Sequence, residues 1–137
     1  MLHRNRKIEL LRAVPLFGGC SKKELEHVSA VADEIDFKAG KTLIREGAPG
    51  REFFVLVEGT AQVSRDGSQI DTAGPGDFFG EMALLSDQPR NATVTTTSDV
   101  DALVINSRSF RQLVESNPLI ALKVMRAVAE RLPPTDF

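Results

Sequence analysis

The sequence holds no tryptophan, no tyrosine, one cysteine and two histidines. A lone Cys20 excludes an internal disulfide. A chain of 137 residues that is 42% hydrophobic needs none, since at about this length one core hides roughly two-thirds of the surface exposed on unfolding. Two histidines are too few to converge from several strands on a metal, so no metal is expected, and no cofactor either. Cys20 follows Gly18-Gly19 with no histidine motif beside it, and it is not expected to act as a nucleophile. Basic excess is also missing: 17 basic residues face 19 acidic ones. This argues against gripping a nucleic-acid backbone, and none is expected as a partner of this chain alone. Apolar runs such as Phe53 to Val57 fall far short of the ~20 residues that span a bilayer. The basic His3-Arg4-Asn5-Arg6-Lys7 leads into Ile8-Glu9-Leu10-Leu11-Arg12, too interrupted for a secretion signal, and a cytoplasmic location is expected. There is no internal repeat and no low-complexity tract.

One globular domain covers residues 1–137. Ile8, Leu10, Leu11 and Val14 form a helical stripe that Pro15 ends, predicting a short helix from Lys7 to Val14 within an amino-terminal helical region of about 3–32. Ser21-Lys22-Lys23-Glu24 matches a capping box, followed by Leu25, Val28 and Val31 or Ala32 as a buried face. From about 34 to 106 the pattern is of short strands between glycine-bearing turns, as in an antiparallel sandwich or barrel. Candidate strands are Glu34 to Phe37, Thr42 to Arg45, Phe53 to Glu58, Thr60 to Arg65, Ser68 to Ala73, Asp77 to Phe79, Thr93 to Ser98 and Ala102 to Asn106. Asp66-Gly67 signals a type I′ hairpin, and Gly40, Gly47, Gly50 and Gly59 read as turn residues. Helical periodicity returns over about 107–132. Ser107 or Ser109 is expected as a cap and Phe110, Leu113 and Val114 as one face. Asn117-Pro118 then starts a last helix with Leu122, Met125 and Val128 or Ala129 on one side, stopped by Pro133-Pro134. The fold class is mostly β: an antiparallel β-barrel or jelly roll with helices at both ends.

Gly80 to Ala92 fits neither period, and such exceptions often mark function. The stretch interrupts the barrel with a short helix-forming run and a proline-bearing loop. Gly80 allows close backbone approach, and N–H groups around Glu81 to Ala83 at the start of a helical turn make an anion site. Arg90 lies nine positions beyond Glu81 and can face it across a pocket. A guanidinium matches two phosphate oxygens, whereas a carboxylate accepts from a sugar hydroxyl. A structural ion pair between the two explains neither Gly80 nor the helical turn.

The ordered match Phe79-Gly80-Glu81-Met82-Ala83-Leu84-Leu85, then Pro89-Arg90-x-Ala92-Thr93-Val94, closely resembles the phosphate-binding cassette of cyclic-nucleotide-binding domains. These occur in bacterial catabolite activator proteins, protein-kinase regulatory subunits and nucleotide-gated channels. Gly40, Glu46-Gly47, Gly50, Phe53-Phe54-Val55 and Glu58-Gly59 extend the resemblance over nearly the whole chain. It implies a ligand, cAMP or cGMP with cAMP favoured, bound in a cassette of about 79–94. Glu81 would accept from the ribose 2′-OH and Arg90 would bind the exocyclic phosphate oxygens. The N–H groups of Gly80, Met82, Ala83 and Asn91 would complete the cradle. Phe79 and Thr93 are further candidates for ligand contact. Leu84 and Phe110 fall at a hydrophobic contact that closes when ligand draws in the cassette and swings the carboxy-terminal helix. Asn91 stands where a hydroxyl can favour guanine, which leaves base choice open. Arg126 and Arg131 are candidates for capping the base.

No catalytic residue is expected. Glu81 as a general base would lack a nucleophile or metal to share the work. The resemblance implies a regulatory sensor that acts through a protein effector or a fused output domain; a degenerate scaffold for protein contacts is the alternative. After the last helix only Pro133-Pro134-Thr135-Asp136-Phe137 follow, so either a free-standing sensor or the sensory piece of a longer chain is expected.

Overall fold

The computed structural model describes residues 2–49, 51–80 and 90–131. It opens with helix α1 (Leu2–Ala13), a 3₁₀ turn (Pro15–Phe17) and helix α2 (Lys22–Val31). Eight strands follow: β1 (Asp33–Phe37), β2 (Thr42–Ile44), β3 (Glu52–Glu58), β4 (Ala61–Arg65), β5 (Ser68–Ala73), β6 (Phe78–Phe79), β7 (Thr93–Thr96) and β8 (Val100–Asn106). Helices α3 (Ser107–Ser116) and α4 (Pro118–Arg131) complete the described chain.

The strands form two four-stranded antiparallel sheets, ordered β1-β8-β3-β6 and β2-β7-β4-β5. Strands β3 and β8 are buried on both faces, which is why Phe53 to Val57 carries no alternation. Phe54, Leu56, Ala102 and Val104 turn between the sheets to meet Ile44, Ala61, Phe79 and Val94. Phe53, Val55, Leu103 and Ile105 turn outward to a second core with Leu11, Phe17, Leu25, Val28, Phe110, Leu113, Ile120 and Val124. The sheet is thus the middle layer, with barrel interior on one side and all four described helices on the other.

Local signals account for several boundaries. Ser21 Oγ accepts from Glu24 N while Glu24 Oε1 accepts from Ser21 N, closing the capping box. The Ser21 backbone N–H that donates to it, and after that the Ser21 side chain, hold the Glu24 carboxyl below its ordinary range. At the β4–β5 turn Asp66 and Gly67 have φ of 53° and 80°, the double positive φ of a type I′ turn, with Arg65 opposite Ser68.

Four expectations are corrected. Helix α1 begins at Leu2 and not Lys7, because its polar first turns carry no apolar stripe from which to read them. Strand β8 starts at Val100, two residues earlier than expected, where Val100 pairs with Phe37. The cap of α3 is Asn106, whose Oδ1 accepts from Ser109 N, and neither Ser107 nor Ser109 takes that place. In α4 the buried face is Ile120 and Val124, whereas Leu122 and Met125 are exposed, 43% and 65%. Asn117 also closes α3, its Nδ2 and backbone N–H both donating to Leu113 O. The short cassette helix, Gly50 and Pro133-Pro134 lie outside the described residues. Among the described residues no helix is long and apolar enough to cross a membrane.

Candidate functional site

Arg90 enters the site on a segment pinned on two sides. Its backbone N–H donates to Ala48 O at 2.9 Å and its carbonyl accepts from Gly47 N at 2.8 Å, so residues 46–48 run on as a partner beyond β2. Arg90 is only 7% exposed. Nη1 donates to Gly80 O at 2.7 Å and Nη2 to Glu52 O. A guanidinium is a planar fork of five donors, and bonds from both terminal nitrogens fix its plane. The charge is thereby held inside the fold between the start of β3 and the residue after β6.

Gly80 makes this seat possible. Its φ is +103°, and a Cβ there would lie 2.7 Å from Glu52 O and 2.9 Å from Arg90 Nη1. Both the backbone conformation and the close approach therefore require glycine.

Asn91 has an exposed side chain, and its carbonyl accepts from Arg65 Nε at 2.8 Å. Thr93 is half-buried in β7, and its Oγ1 accepts from Glu46 N at 2.9 Å, so the hydroxyl stitches β7 to the loop after β2. Glu46 in turn accepts from Asp66 N through Oε1 at 3.0 Å. Phe79 packs its ring against Phe54 in the inter-sheet core, centroids 5.7 Å apart, so it supports the wall behind Gly80. Phe110 sits on the other side of the sheet, 1% exposed and stacked on Phe53. Arg126 is exposed on α4. Glu81, Met82, Ala83 and Leu84 lie outside the described residues.

The structure thus brings Gly80, Arg90, Asn91 and Thr93 into one hydrogen-bonded frame. That frame also includes Glu46, which the sequence pattern marked only as part of the wider resemblance, and Glu52 and Arg65, which it did not single out. The register that sets Ser64 opposite Thr93 carries Arg65 to Asn91, and a pairing between distant segments leaves no local signature. Glu52 contributes only its carbonyl, which side-chain identity does not reveal.

Away from this frame, Asp101 is pushed up to about 6. Burial is the main cause, followed by its hydrogen bond and charge contact with Glu34 and the charge of Asp36, with Arg6 opposing. Cys20 is raised as well, by burial first and then by Glu24, away from thiolate reactivity.

The cyclic nucleotide-binding domain model matches residues 34–117. A cyclic nucleotide-gated potassium channel of Mesorhizobium japonicum is 36% identical over 126 residues, 92% of this chain and 35% of the channel. A CRP-like cAMP-activated global transcriptional regulator of Mycobacterium tuberculosis is 27% identical over 133 residues, 93% of this chain and 59% of the regulator. The solved structure of PKAR CBD2 bound to Sp-2Cl-cAMPS superposes with a TM-score of 0.77 at 28% identity, covering 98% of this chain and 95% of that one. The chain spans 35% and 59% of the lengths of those two curated relatives. The matched segment takes in both sheets, the Arg90 seat and Phe110, and on that match this chain belongs to the cyclic nucleotide-binding domain family.

Proposed function

We propose that this domain binds a cyclic mononucleotide, cAMP in preference to cGMP, and serves as a regulatory sensor. The observation that carries the reading is the Arg90 guanidinium, buried and held in plane by the carbonyls of Gly80 and Glu52 at the cassette position. A planar donor fork fixed in advance suits two exocyclic oxygens of a cyclic phosphate, and its immobilisation before binding lowers the entropy cost of capture.

In this reading Arg90 takes the phosphate and Glu81 accepts from the ribose 2′-OH. The N–H groups of Gly80, Met82, Ala83 and Asn91 complete the cradle. The nucleotide is a ligand and not a cofactor, and the domain performs no catalysis. Its output passes through a protein effector or a joined output domain in the cytoplasm. Ligand shifts the carboxy-terminal helices only in so far as it binds one arrangement more tightly, with Leu84 and Phe110 at the moving contact.

Calorimetric titration of cAMP and cGMP into nucleotide-free protein tests the reading, a method suited to a chain without tryptophan or tyrosine. The expected result is one saturable site with cAMP preferred. No heat and no thermal stabilisation by either nucleotide would overturn the sensor in favour of a scaffold.

A further inference from the structure

We propose that Arg65, at the tip of the β4–β5 hairpin, is a positioning residue for the bound phosphate, acting through the Asn91 carbonyl; the inference rests on the nucleotide-binding reading.

In a trans peptide the C=O and N–H point in opposite directions. Gly47 N–H holds the Arg90 carbonyl, so the Asn91 N–H of that same peptide faces away from the 46–48 loop. Arg65 Nε holds the next carbonyl, that of Asn91, at 2.8 Å. The two bonds fix the peptide planes on both sides of the Asn91 Cα. The N–H proposed to meet the phosphate is thus aimed before any ligand arrives. Without Arg65 only the plane before Asn91 is held, and ordering the plane after it, from which the Asn91 backbone pivots, becomes a cost of binding.

Arg65 is itself held. The tight Asp66-Gly67 turn leaves little freedom at the hairpin tip, and Asp66 N–H donates to Glu46 Oε1. Glu46 N–H in turn donates to Thr93 Oγ1, two residues beyond Asn91. Loop 46–48, the hairpin tip and residues 90–93 therefore close one circuit. The Arg65–Asn91 bond lies at the surface, where a single polar contact adds little to stability. Its effect belongs in the geometry of the site and not in the melting temperature.

Bond topology separates positioning from simple attraction by the Arg65 charge. Counting from Cβ, glutamine Nε2 occupies the place of arginine Nε. Arg65→Gln therefore keeps a donor there without charge, Arg65→Met keeps the length with neither, and Arg65→Lys keeps the charge but puts a methylene where the donor was. We expect Arg65→Met to weaken cAMP binding about tenfold, as befits one residue's backbone left to be ordered on binding, with an unchanged melting temperature in the absence of ligand. Arg65→Gln should recover most of that loss and Arg65→Lys little of it. In ligand-free protein the Asn91 amide resonance should move in Arg65→Met and return towards the wild-type position in Arg65→Gln.

Wild-type affinity in Arg65→Met would overturn the inference. So would recovery by Arg65→Lys but not Arg65→Gln, which would make Arg65 a long-range charge only. Failure of the wild-type protein to bind either nucleotide would instead overturn the underlying reading, and the inference with it.

Discussion

The Phe110 ring stacks on the Phe53 ring with centroids 4.6 Å apart and planes inclined by 22°. The peptide that leads into Phe53 is the one whose carbonyl, Glu52 O, receives the Arg90 guanidinium. A single backbone step in β3 therefore separates the Arg90 seat from the contact that fastens α3 to the sheet. Phe110 is 1% exposed and Phe53 fully buried. Phe110→Ala should cost about 3–5 kcal/mol, the range for deleting a buried ring. Denaturant unfolding measures this, and a loss below ~1 kcal/mol would contradict the packing.

Arg90 is a frame residue as well as a proposed ligand contact. Arg90→Ala removes the donor from Gly80 O and Glu52 O, so a stability loss of about 1–3 kcal/mol is expected along with the loss of binding. Affinity for cAMP should fall on the order of a hundredfold or more, since one bidentate partner of the phosphate disappears. Arg90→Lys should not restore it, because a point ammonium cannot span two carbonyls and two phosphate oxygens at once. Calorimetry beside circular dichroism separates the two losses. A folded Arg90→Ala protein with unchanged affinity would move the site elsewhere.

Two glycines with positive φ should fail in different ways. At Gly59, φ +91°, a Cβ would stand 2.3 Å from Asp99 O in the turn beside β8, against Val100 and Ser98 and not against Glu52 or Arg90. Gly59→Ala should cost about 2–4 kcal/mol of stability, yet the protein that remains folded should bind normally. At Gly80 the added carbon would press on Glu52 O and Arg90 Nη1, so Gly80→Ala should lose affinity even where folding survives. Melting curves and low-temperature titrations of the two variants make the comparison. Wild-type affinity in Gly80→Ala would mean that the Arg90 seat does not control binding.

How much was legible follows from how local each cause is. The Ser21 to Glu24 capping box and the Asp66-Gly67 turn are decided within four residues and appear where the residue types place them. Arg90 and Gly80 were also visible, as an interruption of the strand pattern. The α4 face was not. This helix is apolar on more than one side, and the choice of Ile120 and Val124 over Leu122 and Met125 depends on the outer core they join. Asn106 was missed as a cap because the residue is both the end of β8 and the start of α3. In the site, the carbonyls that grip Arg90 and the reach of Arg65 to Asn91 are set by strand register between distant segments.

Asp101 should make stability depend on pH in the direction opposite to ordinary acid unfolding. It lies in β8 opposite Asp36 of β1 and Glu58 of β3. Arg6 of α1 reaches over it, bonding Asp101 Oδ2 at 3.3 Å and Glu34 at 3.0 Å, while Asp101 Oδ1 is buried with no donor among the described residues. Burial first, then Glu34 and Asp36, raise its pKa from 3.8 to about 6. The folded chain thus holds this proton more tightly than the unfolded chain, and protonation favours the fold. The contribution is fully present below about pH 4 and is lost as pH rises through about 6. Asp101→Asn mimics the protonated form and leaves the Arg6–Glu34 pair in place. Its melting temperature should match the wild type near pH 4 and exceed it increasingly towards pH 7. Subtracting the two curves removes carboxylates with the opposite tendency, such as Glu24, whose lowered pKa favours the fold at higher pH. Parallel curves from pH 4 to 7 would show that Asp101 ionises in the fold at no cost, and that the Arg6 contact already compensates its burial.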